Sequence, residues 1–199
     1  MAADAVPTPL LMVGLLVQGR RCVVVGSDPE AQQRVDLLVR RQARVEWLRF
    51  ADEPAVDPVA GSVCAVIADP AEVDWSDVAF AAIATGDEAR DEVLAHAAQA
   101  ARVPVNTIDR NHLCTVFMPA VVEHGPLTLA IASGGTAPSS VRLLRQWLAA
   151  NLPGWIIGHA RMMSRVRALA RVRLADPLAR RAWIRRASDR LEQGLRKRG

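Results

Sequence analysis

Three short stretches of this sequence bring together residue types that suit ligand or proton chemistry. In the first, the apolar run Arg21-Cys22-Val23-Val24-Val25 leads into Gly26-Ser27-Asp28-Pro29-Glu30-Ala31 and then into a helical pattern. A glycine turn between strand and helix offers backbone N–H groups to a phosphate, and the helix amino terminus adds partial positive charge. The spacing G-x-G-x-x-A is filled here by Gly26, Asp28 and Ala31, so a Cβ and a carboxylate stand where a central glycine would let the backbone approach a pyrophosphate. Two readings of Asp28 follow: it borders a dinucleotide site, or it caps the helix with Pro29 at the first helical position. In the second stretch, Val103-Pro104-Val105-Asn106-Thr107-Ile108 closes on Asp109, which by residue type alone is a strand-end aspartate able to cap the next turn through Asn111 or His112. In the third, Ser133-Gly134-Gly135 exposes backbone N–H groups suited to a carboxylate, or simply turns the chain before a helix.

The rest of the composition narrows the field. Hydrophobic residues make up 51% of the 199 positions, enough to bury a core, so disorder is not expected. Cys22, Cys64 and Cys114 are odd in number and widely spaced, which argues against a disulfide framework or a C-x-x-C metal site and for free thiols in a reducing cytoplasm. The apolar run Val6–Val17 lacks a basic flank, contains Pro7 and Pro9, and is too short to span a bilayer, so a protein that is neither exported nor membrane-bound is expected. His96, His112, His124 and His159 show no zinc spacing. The five tryptophans are scattered as core or interface anchors and make no stacking platform for nucleic acid. Charge is asymmetric: residues 161–199 hold 13 of the 25 Lys and Arg but only three of the 21 acids. That end is a solvated helix face or a surface for an anionic ligand, nucleic acid or membrane.

The elements that must position these residues follow from periodicity. Strands are predicted at 21–25, 44–50, 63–68, 78–85 and 103–108, with amphipathic helices at 28–41 and 87–101 between them. Such alternation makes an α/β unit, a Rossmann-like parallel sheet with helices on both faces. The strand from Arg44 places Arg49 near its end, where an acidic residue would favour a ribose hydroxyl. After Asp109 the texture changes. Runs at 115–122 and 127–133 flank Glu123-His124-Gly125-Pro126, which predicts an antiparallel hairpin, and a helix starts near Pro138 and stops near Asn151-Leu152-Pro153. From Trp155 the pattern is helical and arginine-rich, with a break at Asp176-Pro177.

Several of these blocks, in order, resemble the precorrin-2 dehydrogenase/sirohydrochlorin ferrochelatase family, and in particular the amino-terminal module of sirohaem synthase. Gly19-Arg-Arg-Cys-Val-Val-Val-Gly26 is similar to its opening strand, and Arg34-Val-Asp-Leu-Leu38 to the helix after the glycine turn. Ala84-Thr85-Gly86-Asp87 is similar to its A-A-T-D, and Val103–Asp109 to its I-P-V-N-V-V-D. Leu113-Cys114 with Phe117-Met-Pro-Ala120 looks like its L-C-x-F-x-x-P-A, the phenylalanine one place late, and Gly125–Ile131, Ser133–Gly135 and Pro138 continue the match.

The resemblance implies an NAD-dependent oxidoreductase that converts precorrin-2 to sirohydrochlorin, with insertion of Fe²⁺ as a second activity. The alternative is an NAD-independent metal chelatase or carrier for the tetrapyrrole, with a degenerate nucleotide turn. It implies Asp109 as the catalytic residue, taking a proton from the macrocycle and transiently guiding the metal. It implies cofactor contacts at Gly26, Ser27, Asp28, Ala31 and Thr85. It implies substrate contacts at Asn106, Ser133, Gly134, Gly135 and Arg142. Such macrocycles carry many carboxylates, which the charge map fits: the tail arginines, with Arg142 and Arg145, are expected to steer and hold them. The expected architecture is a Rossmann-like NAD-binding domain over 1–112, a dimerisation hairpin and helix over 113–152 that is exchanged in a cytoplasmic homodimer, and a helical domain over 153–199. Neither nucleic acid nor membrane is an expected partner.

Overall fold

The computed structural model describes residues 9–196, so Val6–Thr8 of the apolar run and Lys197–Gly199 of the basic tail lie outside the described residues. The chain forms two compact units, one over Val13–Met118 and one from Pro119 onward together with the residues up to Met12.

The first unit is built on β1 (Arg21–Val25), α1 (Pro29–Arg40), β2 (Arg44–Phe50), β3 (Ser62–Ile67), β4 (Val78–Ile83), α2 (Glu88–Ala100) and β5 (Val105–Thr107). All pairings are parallel, in the order β3-β2-β1-β4-β5. The fold class read from the sequence is the one found. Continuous apolar runs were the signal because β1 and β4 are covered on both faces: Val23 and Val25 join a core with Leu94, Ala95 and Ala98 of α2, while Cys22 and Val24 join a second with Ala31, Val35 and Leu38 of α1. Strand order reverses between β1 and β4, so their carboxyl ends open the crevice where ligands of such sheets bind.

The second unit contains the antiparallel hairpin β6 (Ala120–His124) and β7 (Leu127–Ile131), then α3 (Pro138–Asn151), α4 (Gly154–Arg173) and α5 (Pro177–Arg196). The first hairpin strand starts at Ala120, later than the apolar run from Thr115 suggested. The N–H groups of Thr115 and Val116 both donate to the carbonyl of Val105, which holds this stretch against β5 and keeps it out of the hairpin. Gly125 turns the hairpin at φ 59°, and a Cβ there would lie 3.1 Å from Ile157 of α4. Proline starts α3 and α5, which accounts for both helix boundaries. No described helix is long and apolar enough to cross a membrane.

Candidate functional site

The carboxyl edge of the parallel sheet gathers the first two stretches. Gly26 follows β1, Thr85 follows β4 and Asp109 follows β5, and these three strands are neighbours. Gly26 has φ 119°, and a Cβ built on it would lie 1.8 Å from the carbonyl oxygen of Ala84, so only glycine lets β1 turn this close to β4. Its carbonyl accepts the indole N–H of the buried Trp47 at 2.8 Å, which fixes the turn from beneath. The N–H groups of Ser27 and Asp28, and of Glu30 and Ala31 in the first turn of α1, donate to no protein atom among the described residues.

Asp28 occupies the N-cap of α1, yet its side chain makes no capping hydrogen bond, so the capping reading of its carboxylate fails. The carboxylate turns toward Gly86, where a Cβ would lie 3.5 Å from Oδ2. That direction leaves the helix amino terminus open to a phosphate. The turn therefore fits a dinucleotide by its backbone, with one negative charge beside it.

Strand β2 runs to Phe50, and Arg49 turns back to donate to the carbonyls of Phe50 and Glu53. The acid that sequence spacing missed is Glu53, whose Oε2 accepts the N–H of Phe50 at 3.0 Å. Its Oε1 is buried without a partner, and burial pushes the carboxyl above its ordinary range. A ribose hydroxyl would meet this carboxylate only with the side chain turned outward, since Oε1 is closed to solvent. Beside it, Arg90 grips Asp52 through two hydrogen bonds of 2.9 and 2.7 Å and lies 4.5 Å over the Phe50 ring. The hydrogen bond from Arg90 holds the Asp52 carboxyl below the usual range.

Asp109 is exposed and sits at φ 59°, a left-handed conformation that costs a residue with a Cβ of order 1–3 kcal/mol and collects at functional sites. Its carboxylate takes no hydrogen bond or ion pair among the described residues. The following turn is entered at Arg110 without a side-chain cap, so the capping alternative for Asp109 also fails. Its position is set from behind by a network the sequence did not reveal. Buried Asp91 of α2 accepts Thr85 Oγ1 at 2.7 Å, the Thr85 N–H at 3.2 Å and Arg110 Nε at 2.9 Å, and Arg110 also reaches Glu88 at 3.3 Å. Thr85 thereby spends its hydroxyl on Asp91, and the residue next to Asp109 is anchored to the loop after β4. An apolar helix face would not hold Asp91, and that break in the pattern of α2 was the available signal.

Asn106 points elsewhere. It is buried, donates from Nδ2 to the carbonyl of Val116 at 3.3 Å, and leaves Oδ1 without a partner. It fixes the segment that crosses β5 and makes no bond to Asp109. Burial raises the nearby Cys114 thiol above its ordinary range, and its sulfur bonds the Thr107 carbonyl at 3.2 Å. His112 is exposed in the turn, and no group of three metal-ligating side chains occurs among the described residues.

The third stretch belongs to the second unit. Gly134 and Gly135 both adopt positive φ, and Ser133 Oγ accepts the N–H of Ala137 at 3.0 Å, so the serine closes the turn that starts α3. Ser133 and Gly134 line a cavity of about 520 Å³ with Leu10, Met12 and Ile131. Arg142, on α3, is exposed and carries no ion pair among the described residues.

Comparison with known proteins fits this arrangement. A family model described as putative NAD(P)-binding matches residues 13–120, more than half of the chain. The chain belongs to that family. Among curated members that resemble it, siroheme synthase of Hahella chejuensis is 33% identical over 146 residues, covering 72% of this chain and 31% of its own length. Siroheme synthase of Nitrosomonas europaea is 35% identical over 150 residues, with the same shares covered. The chain thus spans about a third of the length of the curated relatives it matches. A solved structure titled SirC, precorrin-2 dehydrogenase, superposes with a TM-score of 0.67 at 17% identity, covering 94% of this chain and all of that one, which shows a shared fold. The stretch matched by the NAD(P)-binding family contains the open glycine turn.

Proposed function

We propose that this protein is a precorrin-2 dehydrogenase, oxidising precorrin-2 to sirohydrochlorin in sirohaem synthesis. The observation that carries the reading is Asp109: an exposed carboxylate in a left-handed backbone conformation, with no structural partner, beside a dinucleotide turn. NAD⁺, when bound, supplies the hydride acceptor. The N–H groups of Ser27, Asp28 and Ala31 hold the pyrophosphate, Gly26 permits the turn, and Glu53, its side chain turned outward, receives the ribose. Asp109 takes the proton that leaves the macrocycle as the hydride departs, so two electrons and two hydrogens are removed in balance. Arg110, tied to Asp91, keeps that carboxylate at the edge of the sheet. Within the second unit, Ser133, Gly134, Gly135 and Arg142 are the groups suited to carboxylates.

Iron insertion is proposed as a second reaction at the same carboxylate, with Fe²⁺ as substrate and Asp109 accepting pyrrole protons. The presence of Asp28 at the phosphate turn favours one rival, a chelatase or carrier that does not use NAD. Titration with NAD⁺, followed by tryptophan fluorescence with Trp47 seated beneath the turn, separates the two: no binding at millimolar cofactor removes the dehydrogenase.

The working form is proposed to be a homodimer built on the hairpin and α3. Helix α3 buries none of its residues, and Leu143, Leu144 and Trp147 stand exposed on it, a face that a second copy would cover. A cytoplasmic setting suits the three free thiols. The decisive assay is incubation with precorrin-2 and NAD⁺ read by absorption, with Asp109→Ala as comparison. The variant should lose turnover while keeping its fold and oligomeric state, and unchanged activity would remove Asp109 from the mechanism.

A further inference from the structure

The helical hairpin α4–α5 carries a charged cavity that the proposed chemistry has not used. From α4, Met163, Arg167 and Arg171 recur at spacing four along one stripe; from α5, Arg181, Ile184 and Arg185 face them, enclosing about 550 Å³. That volume lies within the roughly 300–1,000 Å³ range of small-molecule sites. The floor is apolar, because Met163 and Ile184 are half-buried, while the four arginines stand exposed around it.

What those arginines lack is as telling as where they are. Arg180, which also borders the cavity, donates to the carbonyls of Leu174 and Ala175 and so closes the connection between the helices. Arg167, Arg171, Arg181 and Arg185 make no ion pair and no side-chain hydrogen bond among the described residues. Asp189 is the single acid on the lining, and Ser188 lies 3.3 Å from Nε2 of His159, which ties the helices together. Four like charges converge on one hollow and repel one another, with Asp189 the one acid beside them. An anion placed among them would relieve that repulsion.

We infer that the α4–α5 cavity is a binding site for a planar polycarboxylate, with a flat ring over Met163 and Ile184 and its carboxylates on the surrounding guanidinium groups. A guanidinium fork matches a carboxylate with two parallel hydrogen bonds and also stacks on a π face, and a thioether packs well on such a ring. An inorganic anion would leave the apolar floor unused. The identification of the ligand as a carboxylated tetrapyrrole rests on the proposed dehydrogenase reading; the cavity and its charge do not.

The test titrates uroporphyrin, a planar ring bearing carboxylates around its rim, into the full chain and follows its Soret band. The double variant R171Q/R185Q should weaken binding by about tenfold or more, whereas R165Q/R186Q, which removes the same charge from the same helices outside the cavity, should stay within about twofold of wild type. Equal loss in both variants, or none in R171Q/R185Q, overturns the site. A short DNA duplex that binds more tightly and competes through the same two arginines overturns the polycarboxylate in favour of nucleic acid. If wild type fails to turn over precorrin-2 yet binds uroporphyrin through Arg171 and Arg185, the dehydrogenase reading falls and this site stands. Turnover with no such binding rejects this site alone.

Discussion

Replacing Gly26 with alanine tests whether the dinucleotide turn is set by backbone contact. The new Cβ would lie 1.8 Å from Ala84 O, 2.3 Å from Ala84 C and 2.8 Å from Thr85 N, all main-chain atoms of the neighbouring strand end. No rotamer change can relieve such a clash, so β1 and β4 must separate where they hydrogen-bond through Ala84 N and Val25 O. Overpacking of this kind costs about 1–3 kcal/mol, and φ 119° adds about 1–3 kcal/mol for a residue with a Cβ, giving roughly 2–6 kcal/mol. Against a typical stability of about 5–15 kcal/mol that is a large loss. Gly19 supplies the control: it has φ 69° but nothing within 4 Å of its Cβ position, so Gly19→Ala should cost only the backbone share of about 1–2 kcal/mol. Urea unfolding followed by circular dichroism measures both, and NAD⁺ titration should show loss of binding in Gly26→Ala alone. The reasoning is refuted if the two variants are equally stable.

Further outcomes follow from the same edge of the sheet. Removing the carboxylate in Asp28→Gly or Asp28→Asn should tighten NAD⁺ binding: charges at roughly 7 Å and a dielectric of about 40–80 interact by about 0.6–1.2 kcal/mol, or about three- to eightfold in Kd. Unchanged or weaker binding in both variants would show that this charge does not oppose the pyrophosphate. Glu53 has a carboxyl raised by burial, so its contribution to stability is complete below the unfolded pKa and is lost as pH rises through the folded one. Wild type should accordingly lose stability relative to Glu53→Gln as pH rises from about 4, the ordinary glutamate range, and a gap that stays flat or moves the other way contradicts the burial argument. Asp91→Asn should lower kcat, since Asp91 holds Arg110 beside Asp109, and should weaken NAD⁺ binding far less than Gly26→Ala does, because Asp91 reaches the turn only through Thr85. An unaltered kcat would leave Asp91 with a purely structural role.

The elements were legible in the chain because their signals are local. Arg21–Val25 and Val78–Ile83 are continuous apolar runs because both faces of those strands are buried, and proline followed by helical spacing marks the starts of α1, α3 and α5. Order along the chain then constrained the topology, because strands alternating with helices give a parallel sheet and its carboxyl edge. Gly26, Thr85 and Asp109 could be assigned to that edge from sequence for this reason.

What each side chain does there was decided by contacts between residues far apart in the chain. Asp28 has the type and position of a helix cap, but its carboxylate turns to Gly86. Glu53 stands out as an acid at the end of β2 only once its side chain is seen folded back on Phe50. The linkage of Thr85, Asp91 and Arg110 joins positions up to 25 residues apart, and no spacing rule announces it. The arginines of the last two helices read equally well as a solvated face until the hairpin brought both stripes around one cavity. Residue type and periodicity act over a few neighbours and fix secondary structure, whereas hydrogen-bond partners and charge clusters depend on distance in space, which only the folded chain supplies.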